Sequence, residues 1–426
     1  MDNDTRTLLG IEDQNIKKFR ITREPHQLLV DAVLDYRPKA CPQCGIVNPK
    51  KHAKIINYGW RMANVKLPRS GEQDIYLHLK KRYFKCRECA SFFLAQTSLT
   101  HKHQTISQNT RLACLEKLTD TVSMRHIADE LNISSTSILR ILRSYEPDIK
   151  THYDWLPTVI NMDEIKSTKD AKGAMSFVFM DGQKHQLIDI LESRTINDLT
   201  KYFNRYTKQA RESVQIIVTD MNYTYPKLVK LIFPNAVVVI DRFHIVNAVV
   251  VGFNRTRIRV MKKFPTSSLE YKAFKRYWKL FLKPNGELDI GSYRHYTHVH
   301  GFNTENSLVD TLLGLDQELN EAYEALQAVM SAVRLRDESR LRLALDPQHH
   351  NPEEMEKHLA FLRENQKFIE NALKYEYSNG PLEGTNNKLK VLKRVAYGFG
   401  CFVNFRLRIH LIFSVQKAPS HGAAGR

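Results

Sequence analysis

Three acidic residues adjoin segments with the pattern of regular structure. Asp163 closes the apolar run 159–162, Asp220 closes the run 214–219, and Glu383 opens a basic helix. Carboxylates at the ends of neighbouring strands can converge on one or two hard cations, and Mg²⁺ takes oxygen ligands while leaving positions open for water and phosphate. The pattern predicts a metal-dependent site that cuts and joins polynucleotides.

The helix that carries Glu383 has its own pattern. Gly380 and Pro381 are typical of a helix start, because proline is tolerated in the first turn. One face then continues with amides and cations at spacings of three and four: Asn386, Asn387, Lys390 and Arg394. An acid followed by such groups suits a metal site bordered by phosphate contacts. A simpler interpretation is that Glu383 only complements the helix dipole.

Four of the six cysteines form two Cys-x-x-Cys pairs, Cys41 with Cys44 and Cys86 with Cys89. Four thiolates from two such turns give the closed tetrahedral shell that structural Zn²⁺ prefers. The long gap between the pairs accommodates an inserted hairpin, and strand-like alternation precedes each pair, so a zinc ribbon is predicted. Two independent turns with free thiols would instead bind no metal.

The acids at 163 and 220 require a sheet to bring them together. Hairpin strands followed by alternating strands and helices are predicted at 159–162, 175–180, 186–191, 196–206 (helix), 214–219, 225–232 (helix) and 236–240. This order predicts an α/β ribonuclease-H-like catalytic core. In that fold the first and fourth strands are adjacent, so both aspartates would reach shared metal.

A second nucleic-acid module is predicted before the core. Helical spacing from 106 to 118 is followed by a short helix over 123–131 that ends at Asn132, and Ser134 is a plausible N-cap of the next helix. Its exposed residues are expected to be Ser135, Ser137, Arg140 and Arg143. This is a helix-turn-helix pattern suited to a major groove, although many helical hairpins share it by chance.

The segment 253–377 is expected to be a mostly helical insertion. Between residues 253 and 283 it contains ten Lys or Arg and one acid, interleaved with aromatic residues. Cations beside aromatic rings suit phosphate neutralisation and base stacking. The DNA-binding candidates are Arg255, Arg257, Arg259, Lys262, Lys263 and, for stacking, Trp278. The aromatic residues could equally be helix core.

Composition favours a polyanionic partner. The 426-residue chain has 64 Lys and Arg against 46 Asp and Glu, a net charge of +18. Such a balance suits nucleic acid better than an acidic small molecule. No basic-then-apolar leader and no apolar run of about 18 residues is visible, so a cytoplasmic protein without a membrane partner is expected.

These residues together resemble a known family, the ISL-three insertion-sequence transposases of the Asp-Asp-Glu class. The resemblance covers nearly the whole chain and rests on the cysteine pairs, the helix pair, and segments 162–164, 218–221, 241–244 and 380–388. It implies a ribonuclease-H-like core with a large all-α insertion between the second and third acids. The catalytic triad would be Asp163, Asp220 and Glu383, whereas Glu164 would point to the other strand face.

The resemblance also implies cofactors and partners. Two Mg²⁺ ions (or Mn²⁺) per active site and a structural Zn²⁺ are expected. The substrates would be double-stranded DNA at the transposon ends and at the target, handled by a homodimer or larger assembly in a prokaryotic nucleoid. Asp241 and His244 match an Asp-x-x-His element near related active sites, so they are expected to be supporting residues. Alternatively, Asp241 caps a helix and His244 packs beneath the sheet.

Six segments are therefore expected: a zinc-ribbon domain, a helix-turn-helix domain, the first part of the core, the helical insertion, the final part of the core and a disordered tail. In the same order, their bounds are 1–100, 101–150, 151–252, 253–377, 378–417 and 418–426. Two other functions compete with transposition. One is a sequence-specific DNA-binding regulator with an inactive nuclease core, and the other is a host ribonuclease-H-like DNA nuclease.

Overall fold

The computed structural model describes residues 3–149, 151–221, 224–397 and 399–413. The chain forms two compact units. Unit one contains the residues up to 150, residues 168–170 and the segment that begins at Lys388. Unit two contains residues 151–167 and 171–387. The segment predicted as the final part of the core, 378–417, spans the boundary of the two units, and the predicted tail, 418–426, lies outside the described residues.

Unit one begins with a helix and a five-stranded sheet. Its elements are α1 (Asn3–Leu8), β1 (Ile16–Glu24), β2 (Gln27–Leu34), β3 (Ile55–Ser70), β4 (Gln73–Cys86) and β5 (Phe92–Leu94). The strand order is β1-β2-β4-β3, and β5 pairs with β4. The long hairpin of β3 and β4 fills the gap between the cysteine pairs, as the sequence predicted. Alternate apolar residues such as Leu77 and Leu79 are fully buried in its core.

The remaining helices of unit one are α2 (Gln108–Lys117), α3 (Met124–Leu131), α4 (Ser135–Ser144) and, near the end of the chain, α16 (Phe402–Phe413). Ser123 and Ser134 cap α3 and α4, and Asn132 ends α3 in the left-handed conformation with φ 47°. The cap at Ser134 and the helix end at Asn132 were predicted from the sequence, whereas Ser123 was predicted as the first helical residue rather than the cap. Ile127, Ile138 and Leu407 share one buried cluster, so α16 completes the core of this helix pair.

Unit two is built on a five-stranded mixed sheet. Its strands are β6 (Val159–Lys166), β7 (Met175–Asp181), β8 (Gln186–Leu191), β9 (Ile216–Thr219) and β10 (Val237–Ile240). The order is β10-β9-β6-β7-β8, with β6, β7 and β8 antiparallel and with β9 parallel to both β6 and β10. All five strands were predicted, but β6 continues past Asp163 because residues 164–166 pair with β7.

Helices cover the sheet and form the rest of unit two. They are α5 (Ile196–Phe203), α6 (Lys208–Glu212), α7 (Thr224–Ile232), α8 (Arg242–Met261), α9 (Leu269–Arg276), α10 (Glu305–Leu313), α11 (Gln317–Leu335), α12 (Glu338–Ala344), α13 (Glu353–Glu364), α14 (Gln366–Lys374) and α15 (Gly380–Val395), which continues into unit one. Two short strands, β11 (Arg294–His295) and β12 (Phe302–Asn303), form a separate ribbon.

The two faces of the sheet bury different apolar clusters. Ile160 and Phe177 pack with α5 and α7, whereas Val218 and Val239 pack with the helices from α8 onward. The insertion is mostly helical, as predicted, and its first helix runs on from the sheet without a break at residue 252. Within the described ranges, no helix combines the length and apolar character that crossing a membrane requires.

Candidate active site and zinc site

Asp163 lies on β6 and is held by two hydrogen bonds. The Asn386 side-chain amide on α15 donates to Asp163 Oδ2 at 2.7 Å, and the Glu164 backbone N–H donates to Oδ1 at 2.7 Å. Burial raises the pKa of Asp163, and these two donors offset part of that rise because they stabilise the charged form. The carboxylate is thus oriented on both oxygens.

Asp220 follows β9, which lies beside β6 in parallel. Val218 is paired with Asn161, and each of these residues lies two positions before its acid, Asp220 or Asp163. Adjacent strands are about 4.8 Å apart, and residues two positions along a strand point to the same face. Because β6 and β9 are parallel, both predicted acids lie toward the same end of the sheet.

Tyr225 on α7 gives an independent indication of this convergence. Burial raises the pKa of Tyr225, and the negative charges of Glu164, Asp220 and Asp163 raise it further. Its hydroxyl donates to Glu164 Oε1 at 2.7 Å. Glu164 also forms an ion pair with Arg194, so its carboxylate is already engaged. This agrees with leaving Glu164 out of the triad.

The start of α15 is fixed to β6 by buried amides. The Asn161 side chain donates to Ser378 O at 2.8 Å, and the Asn379 side chain donates to Met162 O at 3.1 Å. Glu383 lies exposed in the first turn of α15, three residues before Asn386, and residues at that spacing share one helix face. The third predicted acid thus lies one turn from the amide that binds Asp163.

The carboxylate oxygens of the three acids do not all lie within 4.8 Å of one another, as the ligand atoms of a single ion would. Among the described residues, only the four cysteines form a group whose ligand atoms all lie within 4.8 Å of one another. Acids that hold different ions of a two-metal site can be farther apart, because the ions themselves are about 3.5–4 Å apart. The donor set, all carboxylate oxygen, fits Mg²⁺.

Asp241 and His244 lie beside this site. Asp241 is buried and caps α8, since its carboxylate accepts from the Phe243 N–H at 2.7 Å. Its second oxygen accepts from the Asn379 backbone N–H. The capping alternative for Asp241 therefore holds, and the same side chain also anchors the segment before α15. His244 is partly exposed, and its electrostatic interaction with Asp163 lowers the pKa of that carboxyl.

The four cysteines of the two pairs form one cluster in unit one. Cys41 Sγ is 3.7 Å from Cys89 Sγ, and Cys44 Sγ is 3.8 Å from Cys86 Sγ. A Zn–S distance of about 2.3 Å in a tetrahedron gives sulfur–sulfur edges of about 3.8 Å. A hydrogen bond from Ser91 is the main reason that the pKa of Cys41 is lowered, to about 6. This cluster could hold zinc.

More than half of the chain matches a known protein family. The model of the ISL-three family, described as "Transposase", matches residues 160–409. The chain belongs to this transposase family. The match begins on β6 and ends within α16, so it includes all three predicted acids and the insertion between them.

Two further similarities are partial. A curated protein from Lactococcus lactis subsp. lactis, named "ATP-dependent protease", is 45% identical over 131 residues. The match spans 30% of this chain and 40% of that protein's length. The chain is also similar to a solved structure, "Drosophila P element transposase strand transfer complex". The aligned region covers 71% of this chain and 91% of the chain in that structure, with 12% sequence identity and a TM-score of 0.32. At this TM-score the likeness supports no structural argument.

The residues predicted to bind DNA divide into three groups, the third of which is Arg257 alone. The residues of the first group are exposed, except for Ser137 and Trp278, which are half-buried. This group comprises Ser135, Ser137, Arg140, Arg143, Arg255, Lys262, Trp278, Lys390 and Arg394. Arg259 and Lys263 instead form ion pairs inside the insertion, with partners that include Glu318. These two cations are already partly neutralised by the protein.

Arg257 corrects the sequence analysis, which expected it to contact DNA. It is 7% exposed, and its Nη1 donates to Phe274 O at 2.9 Å. Its Nε donates to Asn254 Oδ1 at 3.1 Å. The side chain is buried because α8 packs against neighbouring helices on more than one side. Arg257 is a structural residue of the insertion.

Four residues that shape the site have no matching prediction from the sequence. Asn161, Asn379 and Tyr225 have no predicted role, and Asn386 is predicted on the polar face of its helix although it is 3% exposed. Asn161 offered a signal, because a polar residue within an apolar strand needs a buried partner. The partners of Asn379 and Tyr225 lie far away in sequence, so no local pattern indicated them.

Proposed function

We propose that the protein is a DNA transposase that binds the terminal inverted repeats of an insertion sequence and catalyses Mg²⁺-dependent strand cleavage and strand transfer. The observation that carries the proposal is that β6, which carries Asp163, pairs in parallel with β9, which Asp220 follows directly, and that the start of α15 is hydrogen-bonded to β6. The order β10-β9-β6-β7-β8, three antiparallel strands beside two parallel ones, supports a ribonuclease-H-like core.

The residues of the site have distinct parts in this mechanism. Asp163, Asp220 and Glu383 would together hold the two Mg²⁺ ions. When bound, the ions activate the attacking water and stabilise the leaving 3′ oxygen. Asn386 keeps Asp163 in one orientation, and Asn379 keeps the start of α15 on β6. The Arg194 and Tyr225 contacts keep Glu164 away from the reacting phosphate.

The reaction proceeds in two balanced displacements. Water first attacks a phosphodiester at the element end, and the P–O3′ bond breaks to leave a free 3′-hydroxyl. That hydroxyl then attacks a target phosphodiester, so one new P–O3′ bond forms as one target P–O3′ bond breaks. No covalent intermediate with the protein is needed.

The DNA-binding modules of the proposal lie in unit one. The cysteine cluster with Zn²⁺ would form a zinc ribbon, and α3 and α4 would form a helix-turn-helix with Arg140 exposed toward a major groove. Lys390 and Arg394 would neutralise backbone phosphates. Two ends must be paired before transfer, which calls for a homodimer or a larger assembly.

The direct test uses a duplex that carries the inverted ends flanking the coding region. The parent enzyme should nick it with Mg²⁺, and Asp220→Asn should bind it equally well without cutting. Asp310→Asn, a matched change at an exposed position of α10, should cut normally. Equal cutting by Asp220→Asn would refute the metal role.

A second assay separates transposition from the competing functions. A precut end with a free 3′-hydroxyl is incubated with supercoiled plasmid, and joined product is measured. Joining supports the transposase. Cutting without joining would indicate a host nuclease, and specific binding without either reaction would indicate a regulator.

A further inference from the structure

A cavity of about 410 Å³ lies beside the four cysteines in unit one, and neither reaction step above uses it. One wall comes from Pro42 and Gln43, between the first two cysteines. A second wall comes from β4 and β5, and a third from residues 100–103. Sites for small organic ligands are commonly about 300–1,000 Å³. The cavity therefore has room for a group of nucleotide size.

The strand wall is aromatic. The rings of Tyr83 and Phe92 lie 5.8 Å apart at an interplanar angle of 16°, and Tyr58 lies 4.7 Å from Phe92. Phe92 is 43% exposed and Tyr58 is 55% exposed. Three aromatic rings in mutual contact that remain open to solvent form a surface on which another planar ring can stack.

The ionisable side chains that line the cavity include basic residues and no acidic ones. Lys81, Lys102, His101 and His103 line the cavity, and the lining contains no acidic residue. Two further cations extend from the aromatic rings, since Lys85 lies 5.4 Å from the Phe92 ring centroid and Arg61 lies 5.6 Å from that of Tyr83. The cavity and its surroundings thus complement an anion that continues beyond the cavity, as a phosphodiester chain does.

We propose that this cavity takes an unpaired nucleotide of the bound DNA strand, with its base against Tyr83 and Phe92 and its phosphates near Lys81 and Lys102. The proposal depends on the proposed function for its DNA substrate and extends it, because a zinc ribbon and a helix-turn-helix need only duplex DNA. A free nucleotide has the same base and phosphate chemistry. The cations at Arg61 and Lys85, outside the cavity, favour the polymer.

The test measures binding of fluorescein-labelled (dT)20 and of a 20-base-pair duplex to the full-length protein without added Mg²⁺. Phe92→Ala should weaken (dT)20 binding by about 5- to 140-fold, the range for loss of one base–aromatic stack. Duplex binding should change much less. Phe302→Ala removes a similar ring that is 72% exposed in unit two, and it should bind both probes like the parent.

The role of the cationic side chains is tested separately, through the salt dependence of (dT)20 binding. Lys102→Gln should reduce the slope of log K against log salt for (dT)20 by about 0.7, the value for one phosphate contact on a single strand. Lys208→Gln, at a side chain that is 82% exposed in unit two, should leave the slope unchanged. Thermal melting of each variant checks that unit one remains folded.

The outcomes are distinct. If folded Phe92→Ala binds (dT)20 like the parent while the parent still cuts element ends, the cavity assignment is wrong and the proposed function stands. If the parent binds neither probe, the proposed function fails as well. Competition by dTMP, but not by equal inorganic phosphate, supports base recognition. If dTMP binds as tightly as (dT)20, the ligand is a free nucleotide and the DNA assignment is overturned.

Discussion

The Asn386 side chain donates a hydrogen bond of 2.7 Å to Asp163 across 223 residues of sequence. Removing an amide that orients a ligating carboxylate typically costs about 10- to 100-fold in activity. We expect Asn386→Ala to slow end cleavage by this factor and to leave DNA binding intact, as measured by nicking rates and gel shift on the same duplex.

Asn320→Ala is the matched control, because the Asn320 amide also donates to a carboxylate, Glu324 Oε1, at 2.9 Å, but on the surface of α11. It should cleave like the parent. Equal losses in the two variants would indicate a general effect of losing an amide rather than the orientation of Asp163.

Asp163→Asn should stabilise the protein in metal-free buffer while abolishing cleavage. Burial raises the pKa of Asp163, so the folded state holds this proton more tightly than the unfolded chain does. The carboxyl therefore favours folding at low pH, and that contribution is lost as pH rises through the raised pKa. At pH 7 we expect a Tm gain of about 2–4 °C, which corresponds to about 1 kcal/mol.

The same variant should gain less at pH 4, where Asp163 in the parent is partly protonated. Asp310→Asn, at an exposed position, should show no such difference between the two pH values. A gain from Asp163→Asn that is the same at both pH values would contradict a role for its ionisation.

The sheet was predictable because its signals are local. Residues 175–180 and 186–191 are mostly apolar and flank a turn that contains Gly182. Most of them are buried, so the apolar pattern alone predicts both strands. The end of β6 was not predictable in this way. Residues 164–166 are polar in part and belong to the strand only because β7 supplies their backbone partners.

The acids of the candidate site could be predicted from the sequence, but the residues that hold them in place could not. Asp163 and Asp220 each follow a run of mostly apolar residues, which is a local pattern. Asn161 and Asn379 instead form hydrogen bonds with partners 217 residues away. Such contacts depend on the path of the whole insertion, and residue type alone carries no information about them.

Cys86→Ser should remove bound zinc, because three thiolates cannot complete the four-sulfur shell. Zinc per chain is measured by mass spectrometry after extensive dialysis. Cys401→Ser is the matched control, since Cys401 lies outside the cluster, and it should retain about one zinc per chain. Full zinc content in Cys86→Ser would reject the four-cysteine site.

Arg408→Leu should destabilise unit one and weaken binding of element ends. The buried guanidinium donates to Leu118 O at 3.2 Å, to Asp120 O at 2.8 Å and to Val122 O at 2.6 Å. Val122 precedes Ser123, the cap of α3, so these bonds hold the start of the proposed DNA-reading helices.

The expected loss from Arg408→Leu is about 3 kcal/mol, because the buried Leu118 carbonyl and the carbonyls of Asp120 and Val122 all lose their donor. It is measured by urea unfolding, together with gel shift on the end duplex. Arg125→Leu, whose parent side chain is 89% exposed, should change stability little. Normal stability in Arg408→Leu would mean that water or a neighbouring group replaces all three hydrogen bonds.

Arg255 and Arg257 should respond in opposite ways to replacement by alanine. Arg255 is exposed on α8, whereas the Arg257 guanidinium is buried against Phe274 O. One lost phosphate contact lowers the slope of log K against log salt on duplex DNA by about 0.9. Arg255→Ala should show this change with an unaltered Tm. Arg257→Ala should lower the Tm, because it leaves the Phe274 carbonyl without its donor, and should keep the parent's salt slope. The reverse pattern would mean that α8 presents a different face to DNA.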